Sequence, residues 1–254
     1  MPARRIVSLI PSITEILFAI GAGDRVVGCT IYCTEPPEGV ATKTRVGGEK
    51  NPRLDVIRQL DPDLVIANVE ENVREHVDTL RAWGIPVHVT YPRTVAAGIR
   101  LVGELGALLD VAERAREIEA ELRARYHQVR SATAGRPPRP VFCPIWRKPY
   151  MTINRDTYIH DMLAVSGGAN VFGDESRRYP EIALEQVAAA DPEVILLPDE
   201  PYRFRRAHVA DFDQFPELPA VRNGRIHLVD GKLLSWYGPR IGEALRVLPP
   251  LFAF

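Results

Sequence analysis

Aromatic side chains are the most suggestive residues of this chain, because several of them follow short apolar runs. Trp146, Tyr150 and Trp236 do so, as do Tyr32 and Tyr91. Exposed rings in loops suit a large flat ligand, since stacking provides contact area at a small entropy cost. Any single ring could instead pack in the interior. Taken together, the rings favour an aromatic binding surface.

The nucleophilic and acidic residues give little support for catalysis. The sequence contains no Gly-x-Ser-x-Gly motif and no phosphate-binding P-loop. Cys33 could act as a thiolate, but the sequence does not identify a histidine that would serve as its base. The alternative is an inert buried cysteine. Glu70 and Glu71 could serve acid–base chemistry or metal binding, or they could be the solvated start of a helix. We predict no catalytic residues and a protein that is not an enzyme.

Residues that commonly bind metals lack the spacing of a dedicated site. Cys29 and Cys33 are separated by three residues, but no second pair of cysteines or histidines accompanies them. The six histidines are dispersed and none has a spaced partner. We therefore expect no protein metal site and no intrinsic cofactor.

Composition narrows the class of protein further. The 254 residues are 46% apolar and 26% charged, which is typical of a globular protein. A net charge of -1 without a basic run makes nucleic acid an unexpected partner. No run of apolar residues is long enough to span a membrane. Pro11 and Glu15 interrupt the first apolar run, so we expect no export signal in the sequence as it stands.

Strand-like and helix-like segments alternate along the chain. Residues 5–10 read as a strand, and residues 13–20 read as a helix with Ser12 as its N-cap and Glu15 at the third position. Residues 63–67, DLVIA, form an apolar run typical of a strand buried in a parallel sheet. The continued alternation predicts an α/β fold with open parallel sheets.

One supersecondary unit occurs twice. Residues 54–67 read LDVIRQLDPDLVIA, and residues 184–197 read LEQVAAADPEVILL. The Asp-Pro pair has the same helix–turn–strand context in both copies, which indicates an internal repeat. Asp-Pro is also common turn chemistry, so chance is the alternative. We favour two related lobes.

A long amphipathic segment separates the two copies of the repeat. Asp110 and Glu113 form a capping-box pattern, and an apolar stripe at three- and four-residue steps runs to about residue 130. We interpret this helix as a strut between lobes, with an ordinary surface helix of a single domain as the alternative. The expected domains are 1–109 for the N-terminal lobe, 110–132 for the helix and 133–254 for the C-terminal lobe.

Ligands of open α/β sheets bind outside the carboxyl ends of the strands, and with two lobes we expect the site in the cleft between them. The candidate ring-bearing residues in these segments are Tyr32, Tyr91, Trp146, Tyr150, Tyr179, Trp236 and Tyr237. The candidate polar residues are Cys33, Glu49, Lys50, Asn68, Glu70, Glu71, Arg147, Asp156 and Arg240.

Several segments in this order resemble a known family. They are RIVSLIPSITEILFAIGAGDRVVGCT, LDPDLVIAN, GIPVHVTYPRT, YPEIALEQVAAADPEVILL and GRIHLVDGKLLSWYGPRIGEAL. Together they resemble the helical-backbone (class III) substrate-binding proteins of ABC importers, and within these the cobalamin-binding branch, also called helical backbone metal receptors. The resemblance implies two Rossmann-like lobes with parallel sheets, joined by a single long backbone helix.

The resemblance also implies a ligand and a partner. The ligand would be cobalamin or another corrinoid; haem or a ferric siderophore is an alternative, as is a cytosolic corrinoid-handling enzyme on the same scaffold. The family places a glutamate of each lobe against arginines of the permease. Glu185 matches one of these positions, whereas Arg74 stands at the other, with Glu75 nearby. The typical tryptophan after the 63–67 strand is Asn68 here.

These considerations give an expected location and oligomeric state. The sequence as it stands indicates a cytoplasmic protein, whereas a trimmed native start would make it periplasmic or extracellular. We expect a monomer that does not span the membrane, with an ABC importer permease as a candidate partner.

Overall fold

The computed structural model describes residues 2–254 and divides into two compact units. The N-terminal unit comprises the chain up to Pro92 together with Ala97–Leu122 and Tyr237–Pro239. The C-terminal unit comprises Arg93–Ala96, Arg123–Trp236 and Arg240–Phe254. Among residues 2–254, no helix combines the length and the apolar character needed to cross a bilayer.

The N-terminal unit is built on a five-stranded parallel sheet with the order β3-β2-β1-β4-β5. Its strands are β1 (Ile6–Ser8), β2 (Val26–Cys29), β3 (Thr44–Arg45), β4 (Leu64–Asn68) and β5 (Val87–Thr90). The accompanying helices are α1 (Pro11–Ala19), α2 (Pro37–Ala41), α3 (Leu54–Gln59), α4 (Arg74–Ala82) and α5 (Val95–Leu108). A 3-10 turn covers Gly23–Arg25.

The core of the N-terminal unit forms because its central strands are apolar on both faces. Every residue of β1 and β4 is buried, as expected for parallel strands covered on two sides. One core cluster contains Val7, Leu9, Val46, Ile57, Val65, Ala67, Val77 and Leu80. The cluster places α3 and α4 against the sheet and fixes where its loops begin.

A long helix, α6 (Ala112–Thr133), continues from the N-terminal unit into the C-terminal unit. Its 22 residues correspond to about 33 Å. Glycines let it approach α5: a Cβ on Gly106 would lie 2.1 Å from Cβ of Ala115, and one on Gly103 would meet Glu119. The predicted class of fold, two parallel α/β lobes with a long connecting helix, is confirmed.

The C-terminal unit has a four-stranded parallel sheet with the order β7-β6-β8-β9. Its strands are β6 (Arg139–Phe142), β7 (Gly168–Asn170), β8 (Val194–Pro198) and β9 (Ile226–Val229). Its helices are α7 (Tyr158–Ser166), α8 (Leu184–Ala189), α9 (Pro219–Arg222), α10 (Lys232–Ser235) and α11 (Arg240–Val247), with 3-10 turns at Arg206–Phe212 and Pro249–Phe252.

Aromatic residues dominate the core of the C-terminal unit. Phe142, on β6, packs edge-on against Phe172 and Phe212, with ring centroids 5.6 and 6.4 Å apart, in an arrangement that aromatic pairs prefer. The helix α7 is well delimited: Thr157 accepts a hydrogen bond from the His160 amide, and Gly167 ends the helix with φ 100°.

The internal repeat is confirmed as α3–β4 in one unit and α8–β8 in the other. The strand β4 lies between β1 and β5, and β8 lies between β6 and β9, so the two copies hold equivalent sheet positions. The turn is also the same, because Asp61 and Asp191 have φ values of 46° and 52°. Aspartate tolerates this left-handed conformation better than most residues.

Two predicted helix caps are wrong. The helix α1 begins at Pro11, with Ile10 as N-cap and no side-chain cap, so Ser12 lies inside the helix; proline at the first position pre-sets the helical φ. The helix α6 begins at Ala112 because Asp110 has φ 56° and ends the preceding turn. The elements α2, β3, β7, α9 and α10 were not predicted.

Candidate ligand-binding site

The carboxyl edge of the N-terminal sheet is lined by exposed apolar and aromatic side chains. Ile31 and Tyr32 follow β2, Val69 follows β4 and Tyr91 follows β5. All four are well exposed, and Tyr32 is 54% accessible. Contiguous exposed apolar groups on a protein mark interaction sites. This edge is therefore suited to contact an apolar, flat surface.

A buried amide network holds the loops of this edge. Asn68 accepts a hydrogen bond from the Glu70 amide at 2.8 Å and donates to Oγ1 of Thr90 at 3.2 Å. Asn72 accepts from the Asn68 amide at 2.8 Å and donates to the Glu49 carbonyl at 3.1 Å. Asn68 therefore positions neighbouring loops from the interior.

Tyr32 is placed by two glycines in the loop after β3. Gly47 has φ 93°, and its carbonyl accepts a hydrogen bond from the Ile31 amide at 2.9 Å. A Cβ at Gly48 would lie 3.2 Å from Cε2 of Tyr32. The absence of side chains here lets the tyrosine ring lie against the backbone.

Acidic groups accompany the rings of this edge. Glu49 and Glu70 are half-buried and Glu71 is exposed, while the Lys50 ammonium donates to the Glu70 carbonyl. Partial desolvation raises the pKa of the Glu71 carboxyl, the Lys50 charge opposes the rise and the Glu70 charge adds to it. The edge thus offers carboxylates and one ammonium group to polar substituents of a ligand.

The carboxyl edge of the C-terminal sheet carries a run of aromatic contacts that leads from the surface into the core. Trp146, 44% exposed, meets Tyr202 edge-on at 5.5 Å. Tyr202 meets Phe204 at 4.8 Å, and Phe204 stacks on Tyr150 at 6.2 Å. Each ring packs against the next, and these contacts hold the exposed Trp146 indole in place.

An ion pair holds the loop that carries Trp146. Arg147 donates to both carboxylate oxygens of Asp211, at 2.6 and 2.8 Å, and the Tyr150 hydroxyl donates to the same carboxylate. The Arg147 hydrogen bonds are the main cause of the lowered pKa of Asp211, and burial opposes them. Burial first, and then the Asp211 carboxylate, raise the pKa of Tyr150.

Trp236 lies in the interior of this edge, only 6% exposed. The Lys232 ammonium and the Arg240 guanidinium lie 5.3 and 5.9 Å from its ring centroid. Its indole group hydrogen-bonds Glu200, which follows β8. Burial raises the pKa of the Glu200 carboxyl, and the Trp236 hydrogen bond opposes the rise.

A third group of this unit surrounds Asp156. Arg93 donates to its carboxylate, and Nε of Arg178 lies 3.5 Å from the other carboxylate oxygen. The Arg178 guanidinium also lies 5.6 Å from the centroid of the exposed Tyr179 ring. The exposed Tyr179 ring therefore lies beside the positive charge of Arg178.

The structure separates the predicted site residues by exposure. Tyr32, Tyr91, Trp146 and Tyr179 are exposed rings, whereas Cys33, Asn68, Tyr150, Trp236 and Tyr237 are buried. The structure also adds Tyr202, Glu200 and Asp211, which the sequence prediction omitted. Tyr202 lies shortly after a strand, and that position is a signal that could have found it. No local signal pairs Asp211 with Arg147 across 64 residues.

Within residues 2–254, no three or more histidine, cysteine, aspartate or glutamate side chains are arranged to hold a metal ion.

The chain folds into two α/β units with exposed rings at the carboxyl edges of their sheets. The chain belongs to the periplasmic binding protein family, whose model matches residues 6–233.

Individual relatives agree with this assignment. A vitamin B12-binding protein of Vibrio cholerae serotype O1 is 28% identical over 248 residues, which cover 96% of this chain and 87% of the relative. The crystal structure of the periplasmic vitamin B12 binding protein BtuF of Vibrio cholerae matches with a TM-score of 0.88 at 26% identity, covering 98% of this chain and 96% of that one. The periplasmic heme-binding protein RhuT from Roseiflexus sp. RS-1, in apo form, matches with a TM-score of 0.84 at 28% identity, covering 98% of each chain.

The resemblance to helical-backbone substrate-binding proteins is thereby confirmed. The family consists of binding proteins associated with ABC transport, so this chain is a binding protein and not an enzyme. The relatives of similar identity are named for two different ligands, so family membership does not by itself choose the ligand.

Proposed function

We propose that this protein captures a corrinoid, cobalamin or a close relative, for uptake by an ABC importer. The observation that carries the proposal is the placement of exposed rings at the carboxyl edges of the sheets: Tyr32 and Tyr91 in one unit, Trp146 and Tyr179 in the other. Rings stack on a planar macrocycle. The corrin ring supplies the equatorial ligands of its own metal, so the protein needs to contribute contacts and not a metal site.

Polar groups near these rings fit the substituents of a corrinoid. Glu49, Glu70 and Glu71 can accept hydrogen bonds from its amide side chains, and Lys50 can donate to their oxygens. In the C-terminal unit, Asp156 can accept hydrogen bonds from further amides, and Arg240 can donate to amide oxygens or to a phosphate. Arg147, paired with Asp211, contributes by holding its loop. Asn68 and Tyr150, being buried, contribute by holding the loops.

Haem or a ferric siderophore is the second candidate, and one contact favours it. The Arg178 guanidinium lies beside the exposed ring of Tyr179, so a planar ligand on that ring would place an anionic substituent near the cation. Haem carries anionic carboxylates of this kind, whereas the side chains of a corrinoid are mainly neutral amides. The two candidates therefore differ in the charge that they present to Arg178.

Titration distinguishes the candidates. The purified protein is titrated with cyanocobalamin, with haemin and with a ferric catecholate chelate, and binding is followed by tryptophan quenching and equilibrium dialysis. We expect stoichiometric binding of cyanocobalamin, with the corrinoid recovered chemically unchanged. A modified corrinoid or a release of product would indicate the corrinoid-handling enzyme instead, and the absence of cobalamin binding would refute the first candidate.

We further propose that Glu75 and Glu185 contact the permease. Each is exposed and lies in the first turn of a helix, α4 and α8 respectively. In proteoliposomes that contain the cognate importer, Glu185→Arg should abolish cobalamin uptake and leave the cobalamin Kd unchanged. Glu104→Arg, at an exposed position of α5, is the matched control and should transport normally.

A further inference from the structure

Two of the three cysteines form a pair in the N-terminal unit, away from the exposed rings. Cys29 is the last residue of β2, and Cys33 ends the turn that follows, where its amide donates to the Thr30 carbonyl at 3.3 Å. Both are free thiols without accessible surface. Each thiol shifts the pKa of the other. A buried dithiol of this kind has no part in the binding function described above.

Two hydroxyl groups and a guanidinium lie within hydrogen-bond distance of the sulfur atoms. Sγ of Cys33 lies 3.1 Å from Oγ1 of Thr14 and 3.2 Å from Oγ1 of Thr30. The Arg45 guanidinium donates to Sγ of Cys29 at 3.2 Å and to the Cys33 carbonyl at 2.9 Å. Donors and a positive charge favour a thiolate over a thiol.

The ionisation of each thiol depends on the other, so the pair releases its protons in two steps. The Cys29 side chain is the largest cause that lowers the pKa of Cys33, and Thr14 and Thr30 add to the effect while burial opposes it. The Cys33 side chain raises the pKa of Cys29. One thiolate beside one thiol is the protonation state in which a dithiol reacts.

Cys143 provides an internal comparison. It is fully buried at the end of β6, and burial raises its pKa to about 12. A buried thiol without donors or a nearby charge is inert. Within residues 2–254, the structure therefore places two cysteines beside hydroxyl and guanidinium groups, whereas burial disfavours the thiolate of the third.

We propose that Cys29 and Cys33 are a modification site, a dithiol that a hydroperoxide oxidises to an intramolecular disulfide. The thiolate attacks one peroxide oxygen, the O–O bond breaks, and the departing hydroxide takes a proton to form water, which leaves a sulfenic acid. The sulfur of the second cysteine then attacks the sulfenic sulfur, the S–O bond breaks, and hydroxide leaves as water with the second thiol proton. From one thiolate and one thiol, the two sulfurs lose two electrons and one proton, solvent supplies the second proton, and one hydrogen peroxide becomes two waters.

The position of the pair indicates how an oxidant would reach it and what a disulfide would change. Ile31 and Tyr32, within the turn that the pair encloses, are both exposed, so opening of this short turn would admit a molecule the size of peroxide. A disulfide would then fasten both ends of the segment that presents Tyr32.

Peptide mapping of the full-length protein tests the proposal. The reduced protein is treated with hydrogen peroxide under native conditions, then alkylated in denaturant and digested with trypsin; residues 26–43 fall in one peptide that contains both cysteines. We expect this peptide to lose two hydrogen atoms and to resist alkylation. Its oxidation should be at least about tenfold faster than the oxidation of Cys143. Recovery of the doubly alkylated peptide, or oxidation of Cys143 at the same rate, would overturn the proposal.

Two substitutions sharpen the test. Cys143→Ser should leave disulfide formation unchanged. Cys29→Ser should prevent it and leave a sulfenic acid on Cys33 that dimedone captures. If Cys29→Ser misfolds, the wild-type map still decides between oxidised and reduced cysteines. None of these measurements uses a corrinoid, so a failure of the proposed function would not affect them.

Discussion

Arg147 and Asp211, 64 residues apart in the sequence, form a two-pronged ion pair in the C-terminal unit with N–O distances of 2.6 and 2.8 Å. Both side chains are about four-fifths buried. The pair joins the loop after β6, which carries Trp146, to the 3-10 turn Arg206–Phe212. The exposed indole therefore depends on a buried carboxylate for its support.

Asp211→Asn should destabilise the protein by about 1–3 kcal/mol at neutral pH, because it weakens hydrogen bonds to a charged group. Pairing lowers the folded pKa of Asp211, so its contribution is complete above the unfolded pKa of about 3.9. It is lost as pH falls through the folded pKa. Urea unfolding of both proteins across this range should show curves that converge in acid.

A matched control for this prediction is Asp174→Asn. Asp174 pairs with Arg155, but its side chain is 91% exposed, and such surface pairs contribute little. We expect no measurable change in the urea midpoint. An equal loss in both variants, or a loss in Asp211→Asn that persists in acid, would contradict the assigned role of the pair.

Glu200→Gln should have the opposite pH dependence. Burial raises the folded pKa of Glu200, so the ionised form is disfavoured in the folded state, and the wild type loses stability as pH rises from the unfolded pKa of about 4.3 to the folded value. Glutamine remains neutral and can still accept from the Trp236 indole. The variant should equal the wild type in acid and be more stable at neutral pH, as measured by thermal unfolding; lower stability at neutral pH would show that the charge is favourable.

Trp146→Ala should weaken cobalamin binding about tenfold, which corresponds to about 1.4 kcal/mol, because it removes an exposed stacking surface. Stability should change little, since the indole is 44% exposed. Trp83 is the matched control: it is 38% exposed and lies against Arg58 just before β5, at the opposite edge of its sheet from Tyr91. Isothermal titration should find Trp83→Ala unchanged, and equal losses for both tryptophans would remove the carboxyl edge from consideration.

Substitutions of Asp61 and Asp191 test whether the two copies of the repeat require the same turn conformation. Both have a left-handed backbone, which costs an ordinary residue about 1–2 kcal/mol. Asp61→Val and Asp191→Val should each destabilise by about this amount, whereas the glycine variants should be near neutral. Urea unfolding of the Val double variant should show additive losses. A tolerated valine at either position would mean that the turn readily takes another conformation.

The alternation of elements was predictable because its signals are local. The apolar runs of β4 and β8, the Asp-Pro turns and the Thr157 and Gly167 boundaries of α7 can all be seen in a few consecutive residues. Local signals failed where a neighbouring element decided the outcome. The strand β7, GAN, has little intrinsic strand propensity and exists because it pairs with β6. Ser12 has the type of an N-cap, yet proline at the preceding position already begins α1.

The candidate site divides in the same way. The order of residue types was enough to predict the fold class, the repeat and the segments that carry the candidate rings, because strand ends in a parallel sheet follow from the order of elements. Which of those rings face solvent became visible only in the folded structure. Trp146 and Trp236 are both tryptophans that follow apolar runs, but Trp236 is enclosed by Lys232, Arg240 and Glu200. Exposure is set by packing between residues far apart in the chain, and no local pattern of residue types records it.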